Sequence, residues 1–146
     1  MADVVVSQLI ANGPRNWGYV FTNESDGTGE TNVVKVDGSS TGPLGVVIGG
    51  TTIYPASHIK IREIEYDISP GLKLEIIWDA TSPQVATVLG GFGRLRYFEF
   101  GGLAAVGSTG ALITGATGKI LFTTVGATPG ASYTVFLRGS KGIPQS

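Results

Sequence analysis

His58 is the only histidine in the chain, and cysteine is absent. Together they bound the available chemistry. A nucleophilic triad needs a serine, a histidine to take its proton and a carboxylate to orient the ring. His58 with a distant Ser and Asp meets that count, but no G-x-S-x-G turn accompanies it. A lone histidine at a strand start, here before Ile59, is far more often structural or solvated. One His and no Cys cannot build a zinc site within one chain; only copies of His58 gathered on a trimer axis could. Glu63, Glu65, Glu75 and Glu99 could supply the paired acids of glycoside cleavage. Their alternation with Lys60, Arg62, Lys73, Arg94 and Arg96 fits cross-strand charge pairs on an exposed sheet face better.

Three glycine-bearing segments imitate ligand loops. GATGK (115–119) would need Gly at 113 and Ser or Thr at 120 to be a phosphate loop, and it has Ile113 and Ile120. No helix is expected after it to supply an anion-binding N-terminus, so it reads as a turn entering KILFTTV. GGFG (90–93) lacks the rest of a dinucleotide fingerprint and a βαβ setting. NESDGTGE (23–30) places Glu24, Asp26 and Glu30 around a loop that could attract calcium, without the EF-hand spacing. Asn23-Glu24-Ser25 is formally a glycosylation sequon, idle without a secretion signal. The expectation is therefore a non-enzymatic protein with no catalytic residue, no cofactor and no metal.

The elements that must carry these residues are strands. Period-2 alternation and turn signals recur throughout, with no convincing 3.6-residue period. Strands are expected at 17–25, 31–37, 58–69, 72–78, 85–90, 94–100, 119–125 and 132–139. In HIKIREIEYDIS the apolar phase slips by one at Arg62-Glu63, which predicts a β-bulge. Ser69-Pro70-Gly71 then turns the chain, and Leu72, Leu74, Ile76 and Trp78 point one way while Lys73 and Glu75 point the other. These two strands read as a hairpin. About eight strands with short loops predict an all-β, single-domain antiparallel β-sandwich or jelly-roll-like barrel. Its expected organisation is an N-terminal arm at 1–16, the β domain at 17–140 with a long uncharged loop at 38–57, and a C-terminal tail at 141–146.

Composition excludes several partners. Of 146 residues only 14% are charged, against about 25% in ordinary domains, and 10 basic residues nearly balance 11 acidic ones. That balance argues against nucleic acid and anionic membranes. The apolar stretches are broken by Gly, Pro, Ser and Thr, so no membrane-spanning helix is expected. The start carries no signal-peptide pattern, which predicts a soluble protein made inside a cell. High mean hydropathy with few charges predicts that other chains cover part of the exterior.

Two stretches focus that expectation. Gly38 to Ser57 carries no charge yet holds Leu44, Val46, Val47, Ile48, Ile53 and Tyr54. Phe100 to Gly118 is likewise uncharged and includes Leu103 and Val106. These eight residues are the candidate subunit or partner interface; an Ω-like loop packed on its own subunit explains such stretches equally well. For a carbohydrate-binding module the candidate contacts are the aromatics Trp17, Phe92 and Tyr97, although strand phase turns Trp78 to the core.

GPRNWGYVFTNESDGTGETNVVKVD (13–37), LKLEIIWDAT (72–81), RYFEFGGL (96–103) and TGKILFTTVGATPGASYTVFLRG (117–139), in that order, resemble a class of small tailed-bacteriophage virion proteins. The motifs include an "FTN.SDG.GE" hairpin, a "WDAT" strand end and an "FGGL" bend. The resemblance implies a capsid decoration (cement) protein: a structural protein of the virion, on the capsid exterior, assembled in the bacterial host cytoplasm. It implies binding to the major capsid protein, homotrimer formation and capsid stabilisation, and no catalytic residues. The alternative is a carbohydrate- or receptor-binding β-sandwich module of a phage fibre, tail or neck.

Overall fold

The computed structural model describes residues 4–13, 15–55, 59–97 and 102–141. Those residues form eleven strands and no helix. In chain order they are β1 (Val4–Asn12), β2 (Asn16–Asp26), β3 (Val33–Asp37), β4 (Val46–Ile48), β5 (Thr51–Ile53), β6 (Ile59–Ile68), β7 (Lys73–Trp78), β8 (Gln84–Leu89), β9 (Phe92–Arg96), β10 (Lys119–Val125) and β11 (Pro129–Lys141). They pair into a five-stranded sheet, β1-β2-β11-β6-β9, a four-stranded sheet, β3-β10-β7-β8, and the two-stranded β4-β5. Every ladder is antiparallel.

The all-β expectation holds, and each of the eight expected strands overlaps an observed one, although residues 98–100 of the expected 94–100 strand lie outside the described residues. The described residues form eleven strands in three sheets, none of them closed. The extra strands left weak signals. β4 and β5 are three residues each, too short for a period. β1 lies in the expected N-terminal arm, and its sequence VVVSQLIAN does not alternate.

The two larger sheets share one apolar cluster. β2 turns Trp17, Tyr19 and Phe21 inward, β11 contributes Tyr133, Val135 and Leu137, and β6 contributes Ile59, Ile61, Ile64 and Ile68. From the other sheet come Val36, Leu74, Ile76, Trp78, Leu89, Ile120 and Phe122. Rings lock the layers: Phe21 meets Phe122 edge-on at 5.1 Å, and Phe122 meets Tyr133 at 6.0 Å. Such pairs add about 0.5–1.5 kcal/mol each beyond burial. Gly139 lies against the Trp17 indole, where a Cβ would come within 2.3 Å of the ring.

The bulge expected at Arg62-Glu63 is present. Arg138 pairs with Glu63 and Gly139 with Ile61, leaving Arg62 as the extra residue. The hairpin expected across Ser69-Pro70-Gly71 is not. The turn forms, with Leu72 N–H donating to the Ser69 carbonyl at 3.1 Å and Gly71 at φ 83°, but β6 and β7 belong to different sheets. Both strands are half-buried, so each finds its own sheet and the turn becomes an arch over the core edge. The same correction applies to NESDGTGE, which connects β2 of one sheet to β3 of the other.

Candidate functional site

The β4-β5 hairpin stands apart from both large sheets, and its placement begins at its base. Leu44 is fully buried in the core, and Pro55 is buried on the other side of the hairpin. A Cβ on Gly45 would lie 2.8 Å from the Tyr54 ring, so glycine lets that ring cover the backbone. Ahead of Leu44, Asp37 organises the approach. Its Oδ1 accepts from Ser39 N–H at 2.9 Å and from Ser39 Oγ, and its Oδ2 accepts from Thr41 Oγ1 at 3.1 Å. Burial pushes the Asp37 carboxyl up, but these hydrogen bonds and the Lys119 charge outweigh it and hold the group below the usual carboxylate range. Burial and the Asp37 charge in turn raise Tyr19. Asn12 Nδ2 donates to the Pro43 carbonyl at 2.9 Å, tying the segment to β1.

From that base the hairpin runs outward. Val46 pairs with Ile53, Val47 with Thr52 and Ile48 with Thr51, closed by Gly49-Gly50 at φ 59° and 82°. Positive φ at both turn residues gives the primed turn that suits a two-residue hairpin. Val46, Ile53 and Tyr54 are half-buried, Val47 is 70% exposed, and Ile48 is exposed. Of the expected interface residues, then, Val47 and Ile48 offer surface. Leu44 offers none; its side chain is needed by the core.

The second uncharged stretch divides similarly. Leu103 is half-buried and bridges β6 through reciprocal hydrogen bonds with Ile61 at 2.6 and 2.9 Å. Val106 is exposed and bridges Leu112, also exposed; Gln84 Nε2 holds the Val106 carbonyl at 2.9 Å. On the outer face of the four-stranded sheet, Val34, Leu121, Ile77 and Val85 stand in register across all four strands. Leu121 and Ile77 are buried there, while Val34 and Val85 are exposed.

The aromatic candidates do not converge. Trp17 is fully buried, with Nε1 donating to the Ser140 carbonyl at 3.3 Å, which corrects its assignment as an exposed contact. Tyr97 is half-buried against the core. Phe92 is 83% exposed and lines a shallow depression of about 530 Å³ with Glu65, Tyr66, Arg94 and Phe136. Only Phe92 fits a stacking role.

Four of the alternating charged residues pair across strands. Glu65 sits opposite Arg94 and Glu63 opposite Arg96 across β6 and β9, with Arg94 Nη2 2.9 Å from Glu65 and both arginines within 3.9 Å of Glu63. This is the cross-strand pairing the alternation implied, except that Glu63 is buried instead of lying on an exposed face; Glu75 lies on β7, and Glu99 and His58 fall outside the described residues. Glu30, a candidate calcium ligand, turns inward instead. Its Oε2 lies 2.6 Å from Lys35 Nζ, and its Oε1 accepts from Asn23 Nδ2 at 3.0 Å and from the Tyr133 hydroxyl. Nothing in the sequence marked this buried network. In GATGK, Thr117 Oγ1 donates to Asp79 at 2.8 Å and the turn leads into β10.

Sequence reasoning missed one apolar surface, the edge strand β1, whose signal was an uncharged run from Val4 to Asn12. No protein-family model matches the chain, and a search of curated proteins finds no match.

Proposed function

We propose that this chain is a non-enzymatic virion structural protein of a tailed bacteriophage, which decorates and stabilises the capsid by binding the lattice of its major capsid protein. The single observation that carries the reading is the β4-β5 hairpin, uncharged and tipped by exposed Val47 and Ile48. An isolated two-stranded hairpin is marginal in water, so one that leaves its valine and isoleucine bare gains most when another protein covers it. Every ~400 Å² of apolar contact contributes up to about 10 kcal/mol before association costs. Those costs remove much of it, and repetition over a lattice multiplies the remainder. The motif resemblance supplies the setting: the capsid exterior, a homotrimer, and assembly in the host cytoplasm. Two facing sheets around one core support reading the architecture as a β-sandwich.

Cosedimentation with capsids tests the proposal. Val47→Asp and Ile48→Asp are expected to abolish shell binding while the far-ultraviolet circular dichroism stays unchanged. Full binding by both folded variants would sink it. A carbohydrate- or receptor-binding role on a fibre, tail or neck has exposed Phe92 in its favour; it predicts saturable glycan binding that Phe92→Ala removes.

A further inference from the structure

Four strands form the edges of the two large sheets: β1, β9, β3 and β8. An edge presents unpaired N–H and C=O groups, and proteins guard such edges with charges, bulges, prolines or brevity. Three of the four are guarded. β9 is five residues long and carries Arg94 and Arg96. β3 is five residues long, its ladder shifts register, and Lys35 points inward to Glu30. β8 follows Pro83 and is broken by a register shift. β1 is the longest of the four and the least guarded. It has nine residues and no charge, and its ladder with β2 is regular from Val4 to Leu9 before the shift at Ile10.

Its side chains are also left bare on both faces. Val5 and Leu9 sit opposite Asn23 and Tyr19, on the face that elsewhere forms the core, yet each is 38% exposed because the second sheet stops short of β1. Val6 and Ile10 are exposed as well. Reversed about Ser7, the strand sets Val5 on Leu9 and Val4 on Ile10, apolar on apolar, with Val6 on Gln8 beside the centre.

We propose that β1 is a self-pairing edge, along which two copies of this chain join antiparallel across a two-fold axis and merge their five-stranded sheets into one. A two-fold axis normal to the sheet keeps both core faces on the same side. Centred on Ser7, the pair sets Val5 of one copy across from Leu9 of the other, and the four side chains cover one another. An uncharged strand is what such an arrangement requires, because any charge near the axis would face its own copy. The pairing goes beyond the capsid reading and uses β1 instead of the hairpin tip.

Light scattering on the full chain across a dilution series tests it. The expected mass is an even multiple of the 15.1 kDa chain, halved by Ser7→Lys and by Ser7→Glu, and restored when the two variants are mixed. Ser7 is exposed, so both substitutions leave the core untouched. A second variant reads the geometry directly. Ser7→Cys introduces a single thiol into a cysteine-free chain, and facing Cα atoms about 4.5–5.5 Å apart suit a disulfide. Oxidised glutathione is expected to cross-link this variant into dimers. A 15.1 kDa wild type at every dilution, an assembly that Ser7→Lys leaves whole, or a Ser7→Cys chain that stays uncross-linked would each overturn the pairing. Capsid cosedimentation of the Val47→Asp variant reports on the shell-binding proposal separately.

Discussion

Glu30 and Lys35 meet almost wholly out of water, with Asn23 and Tyr133 completing the carboxylate's hydrogen bonds. Removing one partner of a buried ion pair leaves a bare charge and costs about 3–5 kcal/mol, whereas replacing both is often close to neutral. Lys35→Met is therefore expected to lower stability by that amount, and Glu30→Gln with Lys35→Met to recover most of it, as read from urea midpoints at neutral pH. A small effect of Lys35→Met alone would show that the pair is not isolated from solvent. Asp37 gives the pH dependence. Its folded carboxyl titrates below its ordinary value of about 4, so its stabilising effect is complete above the unfolded value and is lost as pH falls through the folded one. Asp37→Asn is expected to flatten the acid limb of the stability profile below about pH 4 without changing its neutral plateau's slope. An unchanged acid limb would remove Asp37 from that account.

The β4-β5 hairpin separates two roles that its sequence runs together. Leu44 at its base and Val47 near its tip are three residues apart and equally apolar, yet one is fully buried and the other 70% exposed. Leu44→Ala is expected to cost about 2–5 kcal/mol by denaturant melting, while Val47→Asp stays within about 0.5 kcal/mol. A destabilising Val47→Asp would place that side chain against the core instead of at the surface. The contrast also marks how far the sequence could be read. Strong alternation in β6 and β7 made the strands, the inward residues and even the Arg62 bulge legible. Alternation is local, though, so it could not say that the Ser69-Pro70-Gly71 turn crosses between sheets. Nor could an uncharged stretch distinguish a side chain that anchors from one that presents, because both are apolar and only the tertiary neighbours differ. The inward turn of Glu30 was hidden for the same reason: its partners Tyr133 and Asn23 are 103 and 7 residues away in sequence.

At the scale of the molecule, the surface that matters is assembled from what the two sheets leave uncovered. The hairpin tip and β1 are apolar regions with no charge in their own strands, and the Val34 to Val85 row is an apolar line across strands of which β3, β7 and β10 carry charges at other positions. Sheet order has a further consequence, which concerns time instead of surface. β11, residues 129–141, lies between β2 and β6 in the middle of the five-stranded sheet. A ribosome delivers β2 and β6 well before it, and neither can hydrogen-bond to the other across the gap. Until β11 emerges, two strands with apolar inner residues each wait with one backbone edge open, and the sheet forms by inserting a late strand instead of growing outward. Such non-local closure is slow and exposed to aggregation. A nascent chain paused before residue 129 is thus a held, protease-sensitive intermediate, and completion of one strand converts it to a folded subunit able to assemble.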